Sequence, residues 1–359
     1  MYLNHVVKMK KIIQLAITAL LCTSACTQDK HATFVKADDN NIEYIGRYDF
    51  TNKQKPVFMY SGSEIRTSFT GTSIQLHLKD DSLRNWFTVK LDDSLFMFKS
   101  NKPEGIYLLA NNLTNTEHSI EISRRTEWSA GNTVFEGFTL DAGKKLSSIK
   151  KRKRSIEFIG DSYTCGYGNE GTSNEEHFDY ATENNYLSYG AIVARKLDAN
   201  YIGICRSGIG MVQGYGGDTT FTQHKFYDEV VAGSKVKWDY PNNQPQLVVI
   251  ALGANDLSAA LDTAKYVRAY IRFVQKIRQQ YPAAKIVCVA GPAGAGEKLT
   301  RFQNLVLAAT NHFKNIDKEV VYFSYKPLTF NGSDWHPNLK EHEQMAEELL
   351  GFVKTIMRW

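Results

Sequence analysis

The chain is poor in cysteine and lacks the spacing that would turn its cysteines into a framework. Five cysteines occur in 359 residues, and Cys22 and Cys26 belong to an apolar stretch near the start. Cys165, Cys205 and Cys288 remain, and they form no C-x-x-C pair. An odd number without close spacing argues against a disulfide framework and against a zinc site. We expect these three to be small buried residues.

Apolar runs of the ~20 residues that a membrane span needs are also missing. The leader "MKKIIQLAITALLCTSAC", which starts at Met9, is shorter and is typical of a bacterial secretory signal. Cys26 is then either the lipid-modified first residue of a lipoprotein or a residue lost or left free by ordinary cleavage nearby. We predict a signal in residues 1–26 and a secreted, periplasmic or cell-surface protein, attached to a membrane only through a lipidated Cys26.

A strong excess of one charge is missing as well. The formal net charge is +5, and much of it lies in "KKLSSIKKRKR" at 144–154. A nucleic-acid patch is one interpretation of this run, but no basic stripe accompanies it elsewhere, which favours an exposed connector. We therefore expect no nucleic-acid partner. No metal-ligand spacing is visible, so we expect neither a metal nor a cofactor.

Hydrophobic periodicity divides the chain into two parts. Between 40 and 142, short segments alternate apolar and polar residues, as at 73–80, 86–93 and 118–125, with turn clusters between them. Period two predicts antiparallel strands with one wet face, and several such strands in about 100 residues predict a β-sandwich. We place this domain at 35–150.

The period changes after the basic run. Continuous apolar segments alternate there with segments of helical spacing, and strands that are apolar on both faces are typical of parallel sheets. The pattern predicts an α/β domain at 151–359, with helices on both faces of a parallel sheet. The apolar segments lie at 156–160, 199–204, 246–253, 285–291 and 319–324, and the helical segments at 185–198, 264–281, 298–315 and 339–357.

Polar residues and glycines stand where several of these parallel strands end. The ends read "GDS", "CRSGIGM", "GANDLS" and, before the last helix, "GSDWHPN". Singly each is ordinary, with Ser162 a helix cap, Asn255 a turn residue and His336 an exposed loop residue. Function gathers at the carboxyl ends of parallel strands. Together the ends predict a serine nucleophile, N–H donors for an oxyanion and a histidine base.

These blocks resemble the SGNH (GDSL) hydrolase superfamily. "FIGDSYTCGYG", "NYLSYGAIVARKL", "RSGIGM" and "DWHPN", with "YSGSEIRTSFTGTSI" in the first domain, are similar to carbohydrate esterase family 2. The resemblance covers nearly the whole chain after the leader. It implies an SGNH-type three-layer α/β/α domain preceded by a jelly-roll-like β-sandwich. It also implies an extracellular esterase that removes acetyl groups from plant polysaccharides such as xylan and mannan.

The resemblance gives each matching residue a role. Ser162 is the nucleophile, and His336 is the base that takes its proton and later returns it to the sugar hydroxyl. The N–H groups of Ser162 and Gly208, with Gly210 as the alternative, form the oxyanion hole together with the side chain of Asn255. Loss of one such donor typically costs ~10²–10³ in rate.

One departure concerns the residue that orients His336. The superfamily has Asp three positions before the histidine, where this chain has Ser333, and Asp334 lies only two before it. Either Asp334 orients the imidazole as in a triad, or a backbone carbonyl such as that of Trp335 does so in a Ser-His dyad. Trp335 either contacts a sugar ring or the acetyl methyl group, or it covers the loop as an apolar lid.

We therefore expect a serine carboxylic ester hydrolase that acts on acetylated xylan or glucomannan through an acetyl-enzyme. A lipid or small acyl ester is an alternative substrate, although the chain lacks the long apolar lid segment frequent in lipases. An inactive carbohydrate-binding protein is the alternative from another class. We expect Asp161 and Asp256 to hold their loops by accepting backbone N–H bonds. Glu170, Glu175 and Glu176 are expected to border the sugar site.

Overall fold

A computed structural model describes residues 32–292 and 294–359 of the chain. The predicted signal in residues 1–26, with Cys22 and Cys26, lies outside these ranges. Among the helices of the described ranges, none combines the length and the apolar character that crossing a membrane requires.

The period-two segments form two antiparallel sheets. The strands are β1 Thr33–Lys36, β2 Glu43–Ile45, β3 Val57–Phe58, β4 Glu64–Gly71, β5 Ile74–Asp80, β6 Trp86–Leu91, β7 Ser94–Lys99, β8 Glu104–Ala110, β9 Thr116–Arg124, β10 Thr133–Leu140 and β11 Leu146–Ser147. One sheet has the order β1-β10-β5-β8, with β3 beside β10, and the other β11-β4-β9-β6-β7, with β2 beside β4. Alternation turns one side of each strand inward. Leu76 and Phe138 of one sheet share a core with Phe69 and Ile120 of the other.

The continuous apolar segments form a parallel sheet with the order β13-β12-β14-β15-β16. Its strands are β12 Arg154–Gly160, β13 Ala199–Cys205, β14 Leu247–Ala251, β15 Lys285–Ala290 and β16 Val320–Ser324. The helices are α1 Ser162–Cys165, α2 Tyr189–Lys196, α3 Gln223–Phe226, α4 Thr263–Gln280, α5 Glu297–Asn311 and α6 Leu339–Met357. The neighbours Val248 and Val249 on β14 belong to different cores, one under α4 and α5 and the other under α2 and α6. The predicted fold class is confirmed.

Helix α2 begins four residues later than the helical spacing predicts. Asn185–Leu187 form a separate 3₁₀ turn. The N–H of Asn185 donates to the Arg125 carbonyl of the sandwich at 3.1 Å, and its side-chain amide donates to the Thr164 carbonyl at 2.9 Å. These tertiary hydrogen bonds explain why the helical pattern is interrupted there.

The strand order places the GDS turn at a topological switch point. β12 lies between β13 and β14, so the chain goes to one side of β12 first and then crosses to the other. Open parallel sheets form their binding crevices outside the carboxyl ends of the strands at such a point. β12 ends at Gly160, two residues before Ser162.

Arg47 of the sandwich is fully buried against the α/β domain. Its guanidinium nitrogen lies 3.5 Å from the Glu157 carboxylate on β12, and its guanidinium carbon lies 5.0 Å from the ring centroids of Tyr227 and Trp238. The hydroxyls of Tyr227 and Tyr281 donate to the same carboxylate at 2.5 and 2.8 Å. Because a buried charge without partners is strongly destabilising, these contacts fix the sandwich against the first strand of the parallel sheet.

Candidate active site

Ser162 is the first residue of α1 and follows β12 after a single residue. That residue, Asp161, is the N-cap and accepts a hydrogen bond from the Tyr163 N–H at 3.2 Å. This is the loop-holding role expected of Asp161. The N–H of Ser162 is one of the helix-end amides that have no partner within the helix, and it is therefore suited to bind an anion.

His336 contacts Ser162 from near the other end of the chain. Its Nε2 lies 2.9 Å from the Ser162 Oγ. Its Nδ1 lies 2.9 Å from the carbonyl oxygen of Asp334 and 3.1 Å from that of Ser333. A carbonyl oxygen only accepts, so Nδ1 carries the proton and Nε2 accepts from the serine hydroxyl. This is the tautomer that a general base requires.

The Asp334 carboxylate does not contact the imidazole. It accepts hydrogen bonds from the Tyr167 hydroxyl and the Phe178 N–H, both at 2.9 Å, and lies 3.0 Å from His177 Nδ1. Burial alone would raise the pKa of Asp334, but these hydrogen bonds outweigh it and hold the pKa below its usual value. The expectation that this side chain orients His336 as in a triad is therefore corrected.

The carbonyl groups of Ser333 and Asp334 orient His336 instead of a carboxylate, because the chain makes a strained turn before the histidine. Asp334 and Trp335 have φ of 48° and 59°, a left-handed conformation that costs free energy for residues other than glycine. The Asp334 N–H donates to the Glu176 carbonyl at 2.8 Å, and the Trp335 N–H to the Asn174 carbonyl at 3.3 Å. The turn leaves the Trp335 side chain 62% exposed. The carbonyl of Trp335, considered as the orienting group, is replaced by those of the two preceding residues.

Gly208 lies in the turn after β13 with φ of +80°, which glycine adopts without strain. A Cβ added to it would meet only the Phe221 ring, at 4.0 Å, among the described residues. A Cβ on Gly210, the alternative donor, would approach the Gln213 carbonyl oxygen to 1.9 Å. Gly208 therefore borders open space, whereas Gly210 is enclosed. This difference favours Gly208 as the oxyanion donor.

Asn255 joins the Gly208 turn to the GDS turn. Its Nδ2 lies 2.9 Å from the Ile209 carbonyl oxygen and 3.4 Å from the Asp161 carboxylate. One amide hydrogen donates to the carbonyl, and the second makes the longer hydrogen bond to Asp161. Asn255 can therefore act as an oxyanion donor by exchanging this longer contact for the oxyanion. The predicted donors of Ser162, Gly208 and Asn255 consequently lie in adjoining turns.

Asp256 holds the continuation of the Gly208 turn. Its carboxylate accepts the N–H groups of Met211, Val212 and Gln213 at 2.7, 2.8 and 3.1 Å. This is the structural role predicted for it.

The three glutamates expected to border the sugar site differ from one another. Glu170 accepts from the Asn184 side chain at 2.7 Å and forms an ion pair with Arg125 of the sandwich. Glu176 accepts from the Thr172 N–H at 2.8 Å. Glu175 is exposed. The first two are therefore engaged in holding the loop.

Two tyrosines beside His336 were not predicted. The Tyr167 ring centroid lies 4.2 Å from that of the imidazole, and the Tyr163 centroid lies 5.4 Å away at an interplanar angle of 76°. Tyr215, whose N–H donates to the Gly208 carbonyl at 2.8 Å, is 74% exposed. An aromatic residue in a loop carries no local signal of whether it faces a site, so the sequence did not single these out.

The remaining cysteines behave as expected from their sequence. Cys165, Cys205 and Cys288 are buried and free. The first of them lies in the same short helix as Ser162.

Both parts of the chain match known families. Residues 44–149 match the family described as carbohydrate esterase 2 N-terminal, and residues 158–343 match the GDSL-like lipase/acylhydrolase family. A solved structure of a family two carbohydrate esterase from Clostridium thermocellum, in complex with cellohexaose, has a TM-score of 0.85 at 36% sequence identity. That match covers 89% of this chain and 99% of the solved chain. The chain belongs to carbohydrate esterase family 2.

Curated relatives carry related names. This family 2 chain is 38% identical over 328 residues to cellulase/esterase CelE of Acetivibrio thermocellus, over 90% of this chain and 40% of that protein. It thus spans less than half of that relative's length. It is 27% identical to an acetylxylan esterase / glucomannan deacetylase of Cellvibrio japonicus, over 90% of this chain and 91% of that protein.

We expect the acid limb of kcat/KM for an aryl acetate to have an apparent pKa nearer to 4 than to the usual 6.5. Burial lowers the pKa of His336 to about 4, although the carbonyl groups of Asp334 and Ser333 and the Asp334 charge act in the opposite direction. Below this pKa the imidazole is protonated and cannot accept the Ser162 proton, so the rate falls as the pH falls. A pH–rate profile measures this limb, and a limb at 6.5 or higher would contradict the desolvated imidazole.

Asp161 is a second group that titrates near the site. Burial raises its pKa to about 7. The variant Asp161→Asn separates the two groups, because it removes any inflection near pH 7 and retains the His336 limb.

We expect Asp334→Asn to lose far less activity than the ~10⁴-fold seen when a triad aspartate is changed to asparagine. Asparagine tolerates the left-handed conformation, and its side-chain oxygen still accepts from the Phe178 N–H. The backbone carbonyls that orient His336 remain in place. Comparison of kcat/KM values measures the effect, and a loss near 10⁴-fold would restore the triad interpretation.

Proposed function

We propose that this protein is an exported serine esterase that removes O-acetyl groups from plant cell-wall polysaccharides or oligosaccharides such as acetylated xylan and glucomannan. The 2.9 Å contact between Ser162 Oγ and His336 Nε2 carries the proposal. The donors of Gly208 and Asn255 in the adjoining turns supply the second part of an acyl-transfer site. The name of the Cellvibrio japonicus relative, acetylxylan esterase / glucomannan deacetylase, supports the choice of substrate.

The reaction is a double displacement. The Ser162 oxygen attacks the acetyl carbonyl carbon while His336 Nε2 takes the hydroxyl proton. The developing oxyanion accepts hydrogen bonds from the N–H groups of Ser162 and Gly208 and from Asn255 Nδ2. His336 returns the proton to the leaving sugar hydroxyl as the carbon–oxygen bond of the ester breaks. Water that His336 deprotonates then attacks the acetyl-enzyme, and acetate and free Ser162 result.

Exposed aromatic side chains at the site suit a sugar substrate. Trp335 directly precedes the base and is 62% exposed, and Tyr215 adjoins Gly208 and is 74% exposed. Aromatic rings offer a rigid, amphipathic surface on which a sugar ring can lie. We assign these two side chains to the sugar chain that carries the acetyl group, in place of the lid role considered for Trp335.

A second candidate function is binding of a sugar chain without acetyl removal. The observation that favours it is the cellohexaose bound to the related Clostridium thermocellum esterase. The two functions use the same exposed aromatics, and they differ in whether Ser162 is needed.

An extracellular substrate requires export of the enzyme. We therefore retain the leader in residues 1–26 as a secretory signal, with Cys26 either lipid-modified or, after ordinary cleavage, lost or left free. Labelling of the expressed full chain with a palmitate analogue distinguishes these two fates.

We expect the wild type to release acetate from acetylated xylan and from acetylated glucomannan, and Ser162→Ala to reduce the rate by at least about 10³-fold because the covalent route is lost. The exposed Ser94 on β7 of the sandwich offers a matched control, since Ser94→Ala removes a serine hydroxyl far along the chain from the site residues. Acetate is measured directly in both assays. If the wild type releases none and does not cleave an aryl acetate, the binding function becomes the leading one.

A further inference from the structure

Glu127 connects the sandwich to the turn that carries Gly208. It lies between β9 and β10, and its side chain reaches the α/β domain and is only 2% exposed. Its Oε2 accepts the Ser207 N–H at 2.7 Å and lies 3.5 Å from the donating Cys165 thiol. Ser207 precedes Gly208, and Cys165 lies in the helix that Ser162 begins. One carboxylate thus contacts both segments that carry backbone oxyanion donors.

We propose that Glu127 is a positioning residue that sets the oxyanion hole from the sandwich domain. This inference rests on the proposed function. The hydrogen bond to the Ser207 N–H fixes the Arg206–Ser207 peptide, which directly precedes the peptide whose Gly208 N–H must point at the oxyanion. On the downstream side the turn is held by its own domain, through Tyr215 on the Gly208 carbonyl and through Asn255 on the next carbonyl.

Glu127 itself has little freedom to move. Its N–H donates to the Glu183 carboxylate at 3.1 Å, and its carbonyl accepts from an Arg124 guanidinium nitrogen at 3.0 Å and from the Ala130 N–H at 3.0 Å. The backbone on both sides of the side chain is thus fixed. A rigid acceptor of this kind can hold a donor group within the small tolerance that catalysis needs.

The residue after Glu127 gives the sandwich a further contact with the same turn. The Trp128 ring centroid lies 4.8 Å from the Arg206 guanidinium and 5.9 Å from the Phe221 ring centroid. Phe221 is the nearest side chain to the space beside Gly208, 4.0 Å from where a Cβ on Gly208 would lie. Trp128 therefore adds a second contact from the sandwich to the surroundings of this turn.

Glu127 is part of a buried cluster of two carboxyl groups and one thiol that are joined by protein hydrogen bonds. Glu127, Cys165 and Glu183 have ligand atoms within 4.8 Å of one another, a spacing that would also suit a metal ion. The Glu127 oxygen near Cys165 already accepts the Ser207 N–H, and Glu183 Oε2 accepts the Glu127 N–H. Glu183 Oε1 is buried without a hydrogen-bond partner among the described residues. Burial raises the pKa of the Cys165 thiol well above its usual value, which keeps the thiol a donor.

The test compares Glu127→Gln with Glu127→Ala. Glutamine retains an oxygen that accepts the Ser207 N–H, whereas alanine removes the acceptor. We expect Glu127→Ala to lower kcat for an aryl acetate about 10- to 100-fold with KM nearly unchanged, the pattern for an interaction made in the transition state. Glu127→Gln should retain most of the activity. The rate at which a fluorophosphonate probe labels Ser162 should follow the same order.

Two controls separate positioning from general stability. Glu104→Ala changes an exposed sandwich glutamate and should leave both rates unaltered. If Glu127→Ala does not fold, Glu127→Leu replaces it, because leucine fills the space and removes the acceptor. Thermal unfolding of each variant confirms that equal amounts of folded protein are compared.

The inference is overturned if the variants without an acceptor keep wild-type kcat, or if Glu127→Gln loses as much as Glu127→Ala. A rise in KM at constant kcat would also overturn it, since that pattern reports substrate binding. If the wild type neither cleaves aryl acetate nor reacts with the probe, the proposed function fails and this inference fails with it. If the wild type is active and the variants equal it, only this inference fails.

Discussion

The hydrogen bond between Ser162 and His336 is the contact on which the candidate chemistry depends. It joins residues 174 positions apart, so each partner must be held by its own surroundings. Ser162 is held where a buried strand meets a helix, with Asp161 as the cap. His336 is held by a turn in which two non-glycine residues are left-handed. The carboxylate of Asp334 accepts hydrogen bonds from Tyr167 and Phe178. The imidazole of His336 is oriented by backbone carbonyls instead. A carbonyl cannot donate, so the tautomer of the base is set by the backbone.

The sandwich contributes to the same geometry through buried charges. Arg47 contacts Glu157 on β12, and Glu127 contacts the turn that follows the neighbouring strand β13. Charges taken out of water need partners at fixed distances, which makes these contacts intolerant of relative movement between the two parts. In a family whose chains carry the sandwich before the hydrolase domain, the sandwich can therefore help to hold the active site in place.

Much of the fold and of the site could be predicted because both follow simple patterns. Period two and continuous apolar segments report which faces are buried, and the rule that sites gather at strand ends brought together the turns that carry Ser162, Gly208 and His336. The family resemblance then assigned the individual roles, including the choice of Gly208. The direction in which the Asp334 side chain points could not be predicted. It follows from the turn of the backbone there, which is held by N–H groups of Asp334 and Trp335 that donate to carbonyls at 174–176. Glu127 was missed for a related reason. Its partner Ser207 lies 80 residues away, and no local pattern reports a hydrogen bond across that separation.

The most direct test of the mechanism is to look for the acetyl group on Ser162. The wild type is mixed with an aryl acetate, quenched in acid during turnover, digested and examined by peptide mass spectrometry. The mechanism predicts an acetyl group on the Ser162 hydroxyl, and its absence from the corresponding peptide of Ser162→Ala. Turnover with the acetyl group on another residue, or acetate release that persists at the wild-type rate in Ser162→Ala, would contradict the covalent route.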